Sequence, residues 1–137
     1  MMRHSPAAAL AALALLAAAV PASAHHSFVG EFDVDKPIQL QGTVTRVEWI
    51  NPHAWIHIDV EASDGSVESW AIEGGTPNTL FRRGITRDSV KVGIVIHVDG
   101  YLARDGSNKA NGRDVTLPDG RKLFLSGAAP GEQPAQR

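Results

Sequence analysis

The chain has 137 residues, with 13 basic and 15 acidic side chains, six histidines and no cysteine. This length accommodates one domain rather than two, and the absence of cysteine excludes disulfides, thiolate metal sites and thiol catalysis. The mildly acidic balance does not favour nonspecific binding to nucleic acid, which needs a basic surface, so we expect no nucleic-acid partner.

Residues 1–24 have the pattern of a secretory signal peptide. Arg3 precedes an apolar run from Ala7 to Val20, and the small residues that follow end at Ala24, where a signal peptidase would cleave. The apolar run is shorter than the roughly 20 residues that span a bilayer, so a retained membrane anchor is the weaker alternative. We therefore expect export to the periplasm, a mature chain that begins at His25, and no membrane span after cleavage.

The rest of the chain alternates apolar and polar side chains in short runs, which is typical of β-strands. In the first run, which starts at Pro37, the apolar phase slips by one residue after Val44, and such a slip indicates a β-bulge. The residue types of Thr76 and Pro77 favour a helix N-cap and a first helical position. The elements predicted after the first strand are a strand from Ala54, a strand from Val67 to Glu73, a helix from Pro77 to Arg83 ended by Gly84, a strand from Ile94 to Ala103, a mobile loop from Arg104 to Arg113, and a hairpin over residues 114–125.

One short helix between the third and fourth strands is the element order of an OB-type barrel. The sequence therefore predicts a mainly β fold, a small five-stranded OB-like barrel over residues 38–125. A β-sandwich is the alternative, but it usually has seven or more strands. We expect residues 25–37 to form an N-terminal arm and residues 126–137, which are rich in Gly, Pro, Ala and Gln, to form a disordered tail.

Several segments resemble the DUF6152 family, a group of small exported bacterial proteins of unknown function. The resemblance covers nearly all of the mature chain, and it implies a periplasmic location and a small OB-like β domain. It transfers no catalytic residues, because the family has no established activity. The segments that carry the resemblance are His25-His26-Ser27-Phe28, Gly42-Thr43-Val44, Trp49-Ile50-Asn51-Pro52-His53, Trp70 to Gly74, Gly100-Tyr101, Ala110-Asn111-Gly112-Arg113-Asp114 and Leu117 to Lys122.

An aromatic and histidine face is the first candidate binding site. Trp55 and His57 share one face of the second strand, and His97 and Tyr101 share the outward face of the fourth. OB-type barrels bind ligands across such a face, so we expect these four residues to dock a small ligand or an envelope protein, on a domain without catalytic machinery of its own. Trp49 and Trp70 are interpreted as core side chains. Four carboxylates are interpreted as solvated side chains: Glu48, Asp59, Glu61 and Glu73.

A metal site is the alternative. After cleavage, His25 would offer its α-amino group and its imidazole to one ion, an arrangement that suits Cu(II). On one regular strand His53 and His57 would lie roughly 13 Å apart, too far to share an ion, unless the Asn51-Pro52 corner brings His53 back. Copper binding is thus the alternative function. The competing interpretation is that these histidines are solvated side chains that bind no metal. The other candidate ligands are His26, His53, His57 and His97.

Overall fold

The computed structural model describes residues 28–125. The predicted signal peptide, His25, His26 and the predicted tail lie outside the described residues. Residues 28–31 are helical and lead directly into the first strand. The elements that follow are β1 (Phe32–Glu48), β2 (Trp55–Glu61), β3 (Val67–Glu73), the helix α1 (Pro77–Arg82), a 3-10 turn (Arg87–Ser89), β4 (Val95–Ala103), β5 (Lys109–Thr116) and β6 (Lys122–Phe124).

The described residues form a single sheet with the strand order β3-β2-β1-β4-β5-β6, in which β3 also pairs with β5. The β3–β5 pair is parallel, whereas the other pairs are antiparallel. β5 therefore pairs with β4 along one edge. Along its other edge, the first part of β5 pairs with β3 and the last part pairs with β6. The pairings lead from β1 through β2, β3, β5 and β4 back to β1, so five strands form a closed ring. The fold is mainly β as predicted, but with six strands rather than five.

β1 is long enough to pair with two neighbours. Its first part pairs with β4 and its last part with β2, and the register shifts between Val44 and Arg46. This shift confirms the predicted bulge. After it, Val47 lies opposite the buried Ile56, while Arg46 and Glu48 lie on the outer face.

The core lies inside the ring and consists mainly of β-branched side chains from all five of its strands. Trp49 and Trp70 pack against it, as predicted. Leu80 on α1 is completely buried, and the hydroxyl of Thr76 accepts a hydrogen bond from the backbone N–H of Thr79 at 3.2 Å, which confirms the predicted N-cap. The largest buried aliphatic side chains are Val44, Ile58, Ile72, Leu80, Ile96, Val98, Val115 and Leu125.

Two segments differ from the prediction. β1 begins at Phe32, so the second half of the expected arm is part of the sheet. β5 begins at Lys109, inside the segment predicted as a mobile loop. The inward positions in the first half of this strand are Ala110 and Gly112, which are too small to produce an apolar periodicity, so this half was missed. Residues 114–116 lie in the predicted hairpin and pair with β6. No helix within residues 28–125 is both long enough and apolar enough to cross a membrane.

Candidate binding site

The parallel β3–β5 pair brings side chains from four strands into one row on the outer face. Trp55 lies opposite Glu73, Glu73 opposite Asn111, and Asn111 opposite Tyr101. Opposite residues of paired strands share a face, and neighbouring strands are about 4.8 Å apart, so the row spans roughly 14 Å. We call these four residues the closure row.

His53 contacts the middle of the closure row from the corner before β2. Its Nδ1 lies 3.2 Å from Oε1 of Glu73 and 3.1 Å from the carbonyl oxygen of Gly74. A carbonyl oxygen can only accept, so Nδ1 carries a proton and donates. The side chain of Glu73 is 7% exposed and that of His53 is 41% exposed, so the imidazole connects a buried carboxyl group with solvent.

The environment of Glu73 favours its neutral form. Burial raises the pKa of this carboxyl group above its usual value, and the negative charge of Glu31 acts in the same direction. The charges of His53 and Lys109 and a hydrogen bond from Asn111 lower the pKa and offset part of that effect. A carboxyl group with a raised pKa near the surface is a candidate functional group.

The helical turn of residues 28–31 covers the Tyr101 end of the closure row. The ring of Phe28 lies edge-to-face against that of Tyr101, with 6.2 Å between the centroids. Lys109 forms an ion pair with Glu31, and the Nε of Arg104 donates to the carbonyl oxygen of Val29 at 2.7 Å. Trp55, at the other end of the row, is partly buried.

Asn111 occupies its position because two glycines allow close packing. A Cβ on Gly100 would lie 2.1 Å from the carbonyl oxygen of Asn111, and a Cβ on Gly112 would lie 2.7 Å from Cγ2 of Ile72. The side chain of Asn111 donates to Glu73, but its Oδ1 is buried and has no hydrogen-bond partner among residues 28–125. Buried polar atoms without a partner are rare in folded proteins.

His57 belongs to a separate cluster on β1 and β2. Its Nε2 lies 3.1 Å from Oε2 of Glu48 and 3.1 Å from Nη2 of Arg46, and Arg46 also forms an ion pair with Glu48. The hydrogen bond from His57 is the main cause that lowers the pKa of Glu48. This imidazole therefore has charged partners of its own, different from those of His53.

The predicted aromatic and histidine face does not form one patch. β1 lies between β2 and β4, where His57 is opposite Arg46 and His97 is opposite Gln41. These positions are five residues apart along β1, roughly 16 Å. Trp55 and Tyr101 do share a row, but they are connected through β3 and β5 rather than through β1. The binding roles of the four residues stay predictions.

The predicted metal ligands are not grouped in the part of the chain that the structure describes. His53 contacts Glu73 whereas His57 contacts Glu48. Within residues 28–125, no three His, Asp or Glu side chains lie close enough together to hold a metal ion by themselves.

Glu73 and Asn111 were missed as site residues, because Glu73 was interpreted as a solvated carboxylate and Asn111 was placed in a mobile loop. The resemblance contained the signal that could have found them. Three of its segments, which contain His53, Glu73 and Asn111, converge in the structure.

Two open grooves, each of about 420 Å³, are lined by residues outside the closure row. One lies between the 3-10 turn and the β5–β6 connection. The other is lined by Pro37, Ile38, Gln39, Asp99, Gly100 and Arg113. This size is within the range of small-molecule sites, but both grooves are open to solvent.

The strand pairings and the single helix between β3 and β4 define a mainly β domain of the OB-like class. The model of DUF6152, a family of unknown function, matches residues 12–112, and the chain belongs to this family. No curated protein matches the chain. A solved structure with a similar fold is that of Rim1, a mitochondrial single-stranded DNA binding protein from S. cerevisiae, with 14% identity, a TM-score of 0.47, and coverage of 61% of this chain and 94% of that chain.

A protein described as binding single-stranded DNA has a similar fold, so the prediction that excluded a nucleic-acid partner is withdrawn. That prediction used the net charge of the whole chain, which does not describe the charge of any one face. At this TM-score and identity, the similarity carries no argument about what this chain binds.

Proposed function

We propose that this protein is a binding domain that holds a small ligand or an envelope protein against the closure row, and that it has no catalytic machinery of its own. The observation that carries the proposal is the convergence of side chains from four strands through the β3–β5 pair. His53 and three of the four row residues belong to segments that resemble the family. The stability of the sheet does not require a buried carboxyl group (Glu73) and a buried amide (Asn111) beside an aromatic ring (Trp55).

The shape of the domain and its location are parts of this proposal. The closed ring of pairings supports an OB-like barrel, whose outer surface is the usual place for ligands. The residue pattern of positions 1–24 supports export to the periplasm with cleavage after Ala24.

The Trp55 end of the closure row is the part best suited to the first contact with a ligand. Trp55 provides a flat apolar surface, and Glu73 and Asn111 next to it provide a carboxyl group and an amide. Binding sites commonly combine one aromatic surface with a few polar groups that fix orientation. Contacts with a buried tryptophan commonly dominate binding energy.

The test compares Trp55→Ala with Phe81→Ala, which removes an aromatic side chain that is 69% exposed and lies on α1. The mature protein is immobilised and exposed to envelope extract and to small-molecule extract, and the retained molecules are identified by mass spectrometry. We expect Trp55→Ala to lose the specific partner by about tenfold or more, while Phe81→Ala retains it. Unchanged retention by Trp55→Ala and by Tyr101→Ala would contradict the proposal.

Copper binding through the mature N-terminus is a second candidate function. The observation that favours it is the position of residues 28–31 against the closure row, since His25 and His26 are three and two residues before Phe28 in the sequence. The test adds Cu(II), in competition with a chelator, to the mature protein and to a form with one extra residue before His25. A terminal site loses most of its affinity on extension, and equal weak binding by both forms would contradict it.

A further inference from the structure

His53, Glu73 and Gly74 bring three electron-pair donors to one point of the surface. Nδ1 of His53 is 3.2 Å from Oε1 of Glu73 and 3.1 Å from the carbonyl oxygen of Gly74. Zinc binds nitrogen and oxygen ligands at about 2.0–2.2 Å, so two ligands at tetrahedral or octahedral angles are about 3.0–3.4 Å apart. The two distances from Nδ1 have this spacing, so a metal ion could take the place of the proton on Nδ1.

Asn111 provides an independent observation. Its Oδ1 is buried and accepts no hydrogen bond from the described residues, although the same side chain donates to Glu73. A hydrogen bond to a ligating carboxylate is the usual support that orients such a ligand. An ion next to Glu73 would carry bound water. The O–H of such a water molecule could donate a hydrogen bond to Oδ1 of Asn111.

Charge and access are also compatible with a cation. Glu31 and Lys109 form an ion pair whose two charges act on Glu73 in opposite directions, so together they add little repulsion to a cation. The side chain of His53 is 41% exposed, so an ion can reach the donors from solvent. A mixed set of imidazole, carboxylate and carbonyl ligands suits a borderline divalent ion.

We infer that His53, Glu73 and the Gly74 carbonyl group bind a divalent transition-metal ion of the zinc type, with Asn111 holding a water molecule on that ion. The site uses two side chains and one carbonyl group from the folded sheet, and the ion keeps positions open to water. It requires neither His25 nor ligand docking at Trp55, although it shares Glu73 and Asn111 with the closure row.

The experiment titrates the mature protein with Co(II), whose visible absorption reports ordered coordination, and then displaces Co(II) with Zn(II). Variants His53→Ala and Glu73→Gln remove one ligand each, and Glu73→Gln preserves the shape of the side chain. Glu61→Gln is the matched control, because it removes an exposed carboxylate at the end of β2. Thermal unfolding of each variant verifies that it is folded.

We expect one Co(II) per chain, a loss of affinity of more than about tenfold in both ligand variants, and no change in Glu61→Gln. Trp55→Ala should leave the titration unchanged, which separates failure of this inference from failure of the docking function. Unchanged binding by folded His53→Ala or Glu73→Gln would overturn the inference. Loss of binding confined to a His25→Ala, His26→Ala double variant would overturn it too, and would assign the metal to the N-terminus.

Discussion

Gly112→Ala tests the close packing that holds the closure row together. A Cβ at this position would lie 2.7 Å from Cγ2 of Ile72 and 3.3 Å from Cδ1 of Leu125. Carbon atoms pack best at about 3.5–4.0 Å, so β5 must move away from β3 by about 1 Å. Overpacking of this kind typically costs about 1–3 kcal/mol. We therefore expect a loss of that size in the free energy of unfolding.

The assay is equilibrium unfolding in denaturant, with the matched variant Gly30→Ala as control. A Cβ on Gly30 has no atom within 4 Å, so this variant should be neutral or more stable by up to about 1 kcal/mol. In a thermal experiment, each kcal/mol corresponds to about 4–8 °C in a domain of this size. Amide exchange at Asn111 should become faster in Gly112→Ala and not in Gly30→Ala.

A double-mutant cycle with Ile72→Ala assigns the effect to the contact itself. Ile72→Ala alone should cost about 2–5 kcal/mol, because it leaves a cavity. In the double variant the methyl group added at position 112 no longer meets Cγ2, so the loss should be smaller than the sum of the two single losses. Equal unfolding free energies for Gly112→Ala and Gly30→Ala would refute the described packing of β5 on β3.

Two further predictions concern a carboxyl group and a helix cap. Because the pKa of Glu73 is higher in the folded state than in the unfolded chain, its favourable contribution is complete below about pH 4.5 and is lost as the pH rises through the folded-state value. Glu73→Gln should flatten this part of a plot of unfolding free energy against pH, and an unchanged slope would contradict the assignment. Thr76→Ala removes the N-cap hydrogen bond of α1 and should cost about 0.5–2 kcal/mol in the same unfolding assay, whereas a loss near zero would show that the cap does not contribute.

Elements with large inward side chains could be predicted from the sequence. β3 has the predicted bounds, and the phase slip after Val44 indicated the bulge that the pairing shows. The first half of β5 could not be found in this way, since Ala110 and Gly112 leave no alternation of large apolar and polar residues. Packing against Ile72, and not hydrophobicity, selects the small residues there.

The candidate site was harder to predict, because it depends on a pairing between distant parts of the chain. Glu73 and Asn111 are brought together by the parallel contact of β3 with β5. Local residue patterns specify faces of a strand but not which strands become neighbours, so His57 and His97 were placed together and the true neighbours of Trp55 were not seen.

The location of the closure row links binding to the stability of the whole domain. A molecule bound across β2, β3, β5 and β4 contacts the folded ring, and the unfolded chain does not present these groups together. At a concentration of 100 times its dissociation constant, such a molecule adds about 2.7 kcal/mol to the free energy of unfolding. For a domain of this size that corresponds to a rise of about 10–20 °C in the melting temperature. Heating the protein in the presence of metal salts and metabolite mixtures is therefore a direct way to search for whatever occupies the row.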